Sequence, residues 1–191
     1  MRLRLALFSS LLAATVAITG CDDSSAAPEE SAKISIEHAQ GTTQVPLNPQ
    51  KVIILNPSVL DTADALHIKV AGVPQASAHL PAFLSQYSGT EYLNAGTLFE
   101  PDYEALSQAK PDLIIAGGRA HDAYDKLSAI APTIALDVDT QHFTQSLAQR
   151  TEQLASIFGK EEEAKALLSK FSSQINEIKQ KSANAGSAMV V

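Results

Sequence analysis

The chain has 191 residues, a net charge of −7 and 45% hydrophobic residues. An acidic balance argues against nucleic acid as a partner, because that binding depends on clustered Lys and Arg. The single cysteine excludes an intrachain disulfide and a cysteine-based zinc cluster, so the fold has to rest on a hydrophobic core.

The first residues have the pattern of a secretory leader. Arg2 and Arg4 precede an uncharged apolar run that is short for a membrane span, and small residues lead to Cys21. This resembles a bacterial lipoprotein signal, which predicts a signal peptide over 1–20 and acyl chains on Cys21. An ordinary secretory signal with an incidental cysteine is the alternative, and both imply secretion.

The segment 21–32 is acidic and Ser-rich, without apolar periodicity, and predicts a flexible linker between lipid and domain. Asp22, directly after the cysteine, resembles the signal that keeps enterobacterial lipoproteins in the inner membrane. We therefore expect a periplasmic protein that is lipid-anchored to the inner membrane.

Short apolar segments then alternate with amphipathic ones. A hairpin is predicted over 34–45, with a turn at Gln40 and Gly41. The predicted strands are 52–55, 69–73, 92–95, 112–116 and 133–136, and the predicted helices between them are 59–66, 81–87, 101–108 and 120–130. This alternation predicts an α/β lobe over 33–140, with a parallel sheet covered on both faces. Ligands of such folds bind at the carboxyl ends of the strands.

Two helices are predicted in the next segment, 141–187. The first covers 143–158 and ends at Gly159, and the second covers 161–181 with one apolar stripe at spacings of three and four. The last residues, 188–191, have the composition of a buried strand, which predicts the start of a truncated second lobe. A frayed tail is the alternative.

Several motifs together carry a family resemblance. They are 49–55 (PQKVIIL), 61–66 (DTADAL), 70–74 (VAGVP), 96–102 (GTLFEPD) and 110–119 (KPDLIIAGGR). In this order they resemble the periplasmic iron-siderophore-binding proteins of ABC importers, in particular the catecholate-type branch. The resemblance implies a Rossmann-like N-terminal lobe, a bridging helix at 161–181, and a second lobe that is missing here. It also implies capture of a ferric siderophore and delivery to an inner-membrane permease with its ATPase.

Arg119 is the main candidate for contact with such an anionic ligand. It follows the strand 112–116, after Gly117 and Gly118, which let the backbone approach a ligand. A guanidinium offers a planar fork of donors to anionic oxygens, and the resemblance implies an arginine here that contacts the siderophore. Pairing of Arg119 with Asp122 is the alternative.

Other candidates have weaker support. Asn56 and Ser58 follow the strand 52–55 at the same edge, where they could contact ligand or cap the next helix. Phe99 is predicted to pack under the following helix, with stacking on the ligand as the alternative. Tyr124 is predicted to lie in the core, with a position at the cleft rim as the alternative. The resemblance implies an acidic residue for permease docking, which Asp125 matches, with Asp122 as second choice; a solvated helix face is the alternative.

Neither a metal centre nor a catalytic motif is predicted. The five histidines are dispersed, and no nucleophile elbow or phosphate loop follows a strand, so the sequence predicts a binding protein without a cofactor and not an enzyme. Four alternatives for the role stay open: a receptor for another iron compound, a receptor for cobalamin, a receptor for a metal ion, or an interaction module that binds no small ligand.

Overall fold

The computed structural model describes residues 32–76, 80–183 and 186. The chain divides into two compact units, Met1–Glu30 and Ser31–Val191, and all described residues belong to the second. The predicted signal peptide, the lipid site at Cys21 and the predicted strand at 188–191 lie outside the described residues.

The described segment alternates strands and helices in the predicted order. The strands are β1 (Lys33–His38), β2 (Gly41–Pro46), β3 (Val52–Ile54), β4 (Gly72–Val73), β5 (Leu93–Asn94), β6 (Leu113–Ala116) and β7 (Thr133–Ala135). The α-helices are α1 (Pro57–Ala65), α2 (Tyr103–Ala109), α3 (Tyr124–Ser128), α4 (Phe143–Phe158) and α5 (Glu161–Ser182).

Two predicted helices are wholly or partly of the 3₁₀ type. The segment predicted at 81–87 is a 3₁₀-helix over Ala82–Ser88, and the one predicted at 120–130 is a 3₁₀-helix over Gly118–Ala123 that continues into α3. Tighter i→i+3 turns suit short connections whose ends are fixed by neighbouring strands.

Strands β3 to β7 form one parallel sheet in the order β5-β4-β3-β6-β7. β3 is central, and its three residues are fully buried. Because successive side chains of a strand point to opposite faces, Ile53 and Ile114 belong to one core cluster, with Leu106 and Leu127 of α2 and α3. The opposite face packs against α1 and α4. The α/β class with a doubly covered parallel sheet is therefore confirmed.

The hairpin β1-β2 is a separate antiparallel pair that lies beside β7. The Ala39 N–H donates to the Ala135 carbonyl at 3.3 Å, and the Thr43 hydroxyl donates to the Thr133 carbonyl at 3.0 Å. Tyr124 packs in the same junction, with its hydroxyl 3.3 Å from Thr43 Oγ1. Tyr124 is therefore half-buried at the hairpin junction and not in the core as predicted.

Helices α4 and α5 are consecutive and pack against each other. Gly159 ends α4 in the left-handed conformation. α5 has 22 residues, about 33 Å at the usual rise. Only Ala164 of α5 is buried, whereas Ile178 is 60% exposed. Within the described ranges, no helix is both long and apolar enough to cross a membrane.

Candidate functional site

The predicted site residues follow the carboxyl ends of β3 and β6, which are neighbours in the sheet. Asn56 and Ser58 belong to the β3-α1 connection, while Gly118 and Arg119 belong to the β6-α3 connection. A Cβ on Gly118 would lie 3.4 Å from Asn56 Nδ2, so the two connections touch. The structure therefore brings the Asn56 and Gly118 segments together at one edge.

Asn56 is 8% exposed and caps α1. Its Oδ1 accepts hydrogen bonds from the Ser58 N–H at 3.0 Å and from the Ser58 hydroxyl at 2.9 Å. Its Nδ2 donates to the Leu136 carbonyl, which lies directly after β7. Of the two roles that the sequence left open for Asn56, the structure has helix capping, which ties together the ends of β3 and β7.

Gly117 and Gly118 give the connection after β6 its shape. Gly117 has φ +116° and ψ 176°, a conformation that is nearly restricted to glycine, and Gly118 has φ +58°. A Cβ on Gly117 would lie 2.7 Å from Asp137 Oδ1, which leaves no room for a side chain. Arg119 thus begins a 3₁₀ turn directly above the sheet edge.

Arg119 is exposed and lies over an aromatic ring. Its Cζ is 4.9 Å from the centroid of Phe99, within the usual distance for a cation–π contact. No ion pair of Arg119 occurs among the residues that the structure describes, so its alternative pairing with Asp122 is not found. The guanidinium is therefore held from one side and faces solvent on the other.

Phe99 does not pack under the following helix as predicted, because its side chain is 61% exposed. The Thr97 hydroxyl accepts hydrogen bonds from the Phe99 and Glu100 N–H groups, and Gly96 bridges to Pro101. These contacts close the turn, and the phenyl ring extends outward to Arg119.

The contact between Phe99 and Arg119 crosses much of the sheet. Phe99 follows the edge strand β5, whereas Arg119 follows β6, three strands away or about 14 Å at the usual strand spacing. The two connections therefore meet above the carboxyl ends of β4 and β3. An exposed cation and an exposed ring form an open platform there. The sequence offered contact of Phe99 with the ligand only as the alternative, because Phe99 stands alone in a loop.

Three of the four large hydrophobic side chains that are exposed in the described part of the chain follow carboxyl ends of the sheet. Phe83 lies in the connection after β4, Phe99 after β5, and Phe143 after β7. Single exposed hydrophobic side chains are common on protein surfaces, so these three residues share only their position at the carboxyl ends of the strands. The fourth, Ile178, lies on α5.

The two candidates for permease docking lie beside this edge. Asp122 is in the 3₁₀ turn and Asp125 is in the first turn of α3, and both are exposed. The Asp125 carbonyl accepts a hydrogen bond from the Ser128 hydroxyl. These contacts are compatible with either a docking role or a solvated helix face.

Arg150 of α4 was missed by the sequence reasoning. It is 4% exposed, and its guanidinium donates to the Ser58 hydroxyl at 3.1 Å, to the Ser58 carbonyl and to Thr62. Burial lowers the pKa of Arg150, whereas the charges of Asp137 and Asp61 act in the opposite direction. Its spacing of three from Leu147 and four from Leu154 places Arg150 on the apolar face of α4, and this spacing was the available signal of its burial.

A cavity of about 230 Å³ adjoins Arg150, between the hairpin and α4. Its charged lining includes Glu37 and Asp137 as well as Arg150.

In the described ranges, no group of three or more His, Cys, Asp or Glu residues has the arrangement of a metal site. At the sheet edge, Arg119 presents a solvent-facing cation on the ring of Phe99.

This fold, with the candidate site residues at the open carboxyl edge of a parallel sheet, is that of an α/β lobe of the periplasmic binding protein type. The profile of the periplasmic binding protein family matches residues 52–191. The chain belongs to this family, which consists of transport-associated binding proteins and not of enzymes.

Individual relatives agree. The chain is 35% identical over 181 residues to the petrobactin-binding protein YclQ of Bacillus subtilis, covering 91% of this chain and 56% of that protein. The crystal structure of YclQ matches with a TM-score of 0.78, over 81% of this chain and 55% of that one. The catecholate-siderophore binding protein VctP of Vibrio cholerae matches with a TM-score of 0.74 at 34% identity, over 80% and 55% of the two chains.

A more distant relative is the ferric-anguibactin-binding protein FatB of Vibrio anguillarum, which is 28% identical over 172 residues, or 85% of this chain and 53% of that protein. The chain thus spans about half the length of the relatives it matches. The resemblance to siderophore-binding proteins, drawn from the sequence motifs, is confirmed.

Proposed function

We propose that this chain provides the N-terminal lobe and bridging helix of a receptor that captures a ferric siderophore of the catecholate type for an ABC importer. The observation that carries the proposal is the exposed Arg119 guanidinium stacked on Phe99 at the carboxyl edge of the sheet. A ferric catecholate is anionic, flat and partly aromatic. A fixed cation beside an exposed ring is complementary to both properties.

Arg119 is the residue we expect to bind the ligand, with Gly118 and Ser58 forming the adjacent surface. Gly118 has no side chain, so a large complex can approach the backbone closely. Ser58 is exposed at the N-terminus of α1, whose dipole favours an anion. Asn56 contributes by holding this loop, because both ends of its amide are already bonded.

The names of the relatives support this choice of ligand. YclQ is named for petrobactin, VctP for catecholate siderophores and FatB for ferric anguibactin, so ferric complexes recur among them. Transfer to a membrane permease would follow, with Asp125 or Asp122 facing the permease. Acylation at Cys21 would keep the receptor at the membrane, and a Cys21→Ser variant that loses labelling by radioactive palmitate would test that anchor.

A titration of the purified 191-residue chain tests the ligand class. The chain has four tyrosines and no tryptophan, so tyrosine fluorescence reports binding, and calorimetry checks it without optical absorption by the ligand. We expect saturable binding of a ferric tricatecholate and weaker binding of a ferric hydroxamate and of ferric citrate. A folded chain that binds none of these complexes, alone or joined to the second half of YclQ, would contradict the proposal.

Replacing Arg119 tests the site itself. Arg119→Ala should weaken binding by about 1.5 to 3 kcal/mol, roughly 10- to 150-fold, which is the scale of a charged hydrogen bond. Lys51→Ala is the matched control, because it removes the same charge from the amino end of β3, at the opposite edge of the sheet. Equal affinities for the two variants would remove Arg119 from the site.

A further inference from the structure

We propose that Asp137 is the positioning residue that fixes Arg119 in its ligand-binding orientation. This inference rests on the proposed function, because it concerns the same site. Asp137 lies two residues after β7, and its Oδ1 accepts a hydrogen bond from the Gly118 N–H at 2.5 Å. Gly118 is the residue directly before Arg119, so Asp137 acts on the arginine through the backbone.

The connection after β6 needs such an external partner. Gly117 and Gly118 both have positive φ, and glycine has more backbone freedom to lose than any other residue. Without an acceptor on Gly118, this pair would sample many conformations, and Arg119 would have to be ordered when ligand binds. Ordering that precedes binding improves affinity without any new contact to the ligand.

Asp137 is itself held in place on two sides. The neighbouring Leu136 carbonyl accepts a hydrogen bond from Asn56, the buried cap of α1. The second carboxylate oxygen of Asp137 lies 3.9 Å from His121 Nδ1. Asn56, Asp137 and Gly118 therefore connect the ends of three adjacent strands, β3, β7 and β6, in one hydrogen-bonded frame.

The close packing of this frame restricts which residues can occupy positions 117 and 137. Because a Cβ on Gly117 would meet Asp137 Oδ1 at 2.7 Å, the aspartate and the glycine pair are closely packed. The Asp137 side chain is about one-third exposed, so it can be replaced without opening the core. The role assigned here is to position Arg119 and not to touch the ligand.

The test compares ferric tricatecholate affinities of variants of the full chain by calorimetry. Asp137→Ala should weaken binding about 5- to 20-fold, since the Gly118 N–H loses its acceptor. Asp137→Asn keeps an oxygen at the same place and should bind within about twofold of the parent. Asp139→Ala is the matched control, because it removes the same charge from the connection between β7 and α4. The Asp139 carboxylate contacts His142 and not Gly118.

A double variant separates positioning from general destabilisation. If Asp137 acts through Arg119, then Arg119→Ala with Asp137→Ala should bind no more weakly than Arg119→Ala alone, whereas independent effects would add. Asp137→Ser, whose hydroxyl is too short to reach Gly118, should behave like Asp137→Ala and serves in its place if that variant does not fold.

The outcomes distinguish the two proposals. Loss of affinity in Arg119→Ala but not in Asp137→Ala or Asp137→Ser would overturn the positioning role and leave the proposed function intact. Asp137→Asn as weak as Asp137→Ala, or additive losses in the double variant, would overturn it as well. Absence of ferric tricatecholate binding by the parent chain would instead contradict the proposed function.

Discussion

Tyr87 joins the 3₁₀-helix Ala82–Ser88 to α1. Its hydroxyl donates a hydrogen bond to Asp64 Oδ1 at 2.8 Å, and its side chain is 5% exposed. Burial, the hydrogen bond to Asp64 and the negative charge of Asp64 together raise the pKa of Tyr87 from 10.0 to about 12. The folded protein therefore binds the phenolic proton more tightly than the unfolded chain does.

Tyr87→Phe should lower the free energy of unfolding by about 1 to 2 kcal/mol at neutral pH, because it removes a hydrogen bond to a charged group. Because the pKa of Tyr87 is raised in the folded protein, its hydroxyl contributes fully to the free energy of unfolding below pH 10. This contribution is lost as the pH rises from 10 to about 12. Urea unfolding of both proteins at a series of pH values checks this. A stability difference that is constant across pH 10 to 12 would contradict it.

Arg150 is a buried cation that lacks full compensation. Its Nε has no hydrogen-bond partner, and its guanidinium contacts hydroxyl and carbonyl oxygens instead of a carboxylate. Replacing a whole buried ion pair by apolar side chains of similar volume is often neutral or stabilising, and the oxygens that accept hydrogen bonds from Arg150 are uncharged, so its removal leaves no charged partner behind in these contacts. Arg150→Met should therefore raise the free energy of unfolding by about 1 kcal/mol.

Arg150→Ala should have the opposite effect on stability from Arg150→Met. Alanine leaves a cavity as well as removing the charge, so it should lower stability by about 2 kcal/mol or more. Urea denaturation of the two variants, with equal slopes, measures both effects. If both variants were equally destabilised, the hydrogen bonds of Arg150 would outweigh its desolvation.

At the residue scale, the sequence predicted the position of Arg119 because a strand end in a parallel sheet has a fixed place. It failed at Phe99 and Arg150, whose environments depend on contacts with segments distant in the chain. Phe99 meets an arginine that follows a strand three positions away, and Arg150 meets a helix about 90 residues earlier in the sequence. No local pattern encodes such pairings.

Among the elements, the connection between β6 and α3 is the most constrained. Gly117→Ala should destabilise the protein by about 3 kcal/mol, because φ +116° excludes a side chain and the Cβ would meet Asp137 and Leu136. Gly118→Ala should cost only about 1 kcal/mol, since φ +58° is accessible and the nearest atom is 3.4 Å away. Thermal unfolding of both variants measures the contrast, and similar losses would contradict it.

The helices show what periodicity can and cannot predict. α4 has the bounds predicted from its apolar spacing, and α5 differs by one residue at its end. The two 3₁₀-helices were predicted only as helices, because apolar spacings of three and four do not separate 3₁₀-helices from α-helices over six or seven residues. A long helix has enough turns for its apolar periodicity to predict its type, whereas a helix of six or seven residues does not.

Across the whole molecule, stability should be unevenly distributed. Strands β3, β6 and β7 are completely buried, whereas α5 beyond Phe171 is mostly exposed. In hydrogen exchange, we expect amides of 172–182 to open at a much lower free energy than those of the three strands. Protection of 172–182 equal to that of the sheet would mean that this half of α5 is covered in solution.

The α/β class, the order of the elements and the carboxyl-edge location of the site could all be predicted, because alternation of apolar strands and amphipathic helices admits few arrangements. The order β5-β4-β3-β6-β7 could not, since each strand is too short to specify its neighbours by sequence. The Asp137 frame also escaped prediction, because it joins three strand ends that are adjacent only in the folded sheet.

The hairpin β1-β2 has a consequence beyond its own packing. An outer strand with free backbone groups can template pairing with another molecule and so begin aggregation. Here the Thr133 and Ala135 carbonyls of β7 are occupied by donors of Thr43 and Ala39. At the other side, β5 has only two residues and offers little length for such pairing. The hairpin thus protects the outer edge of the sheet from pairing with strands of other molecules. Because the chain has a single cysteine, no intrachain disulfide can add to this protection.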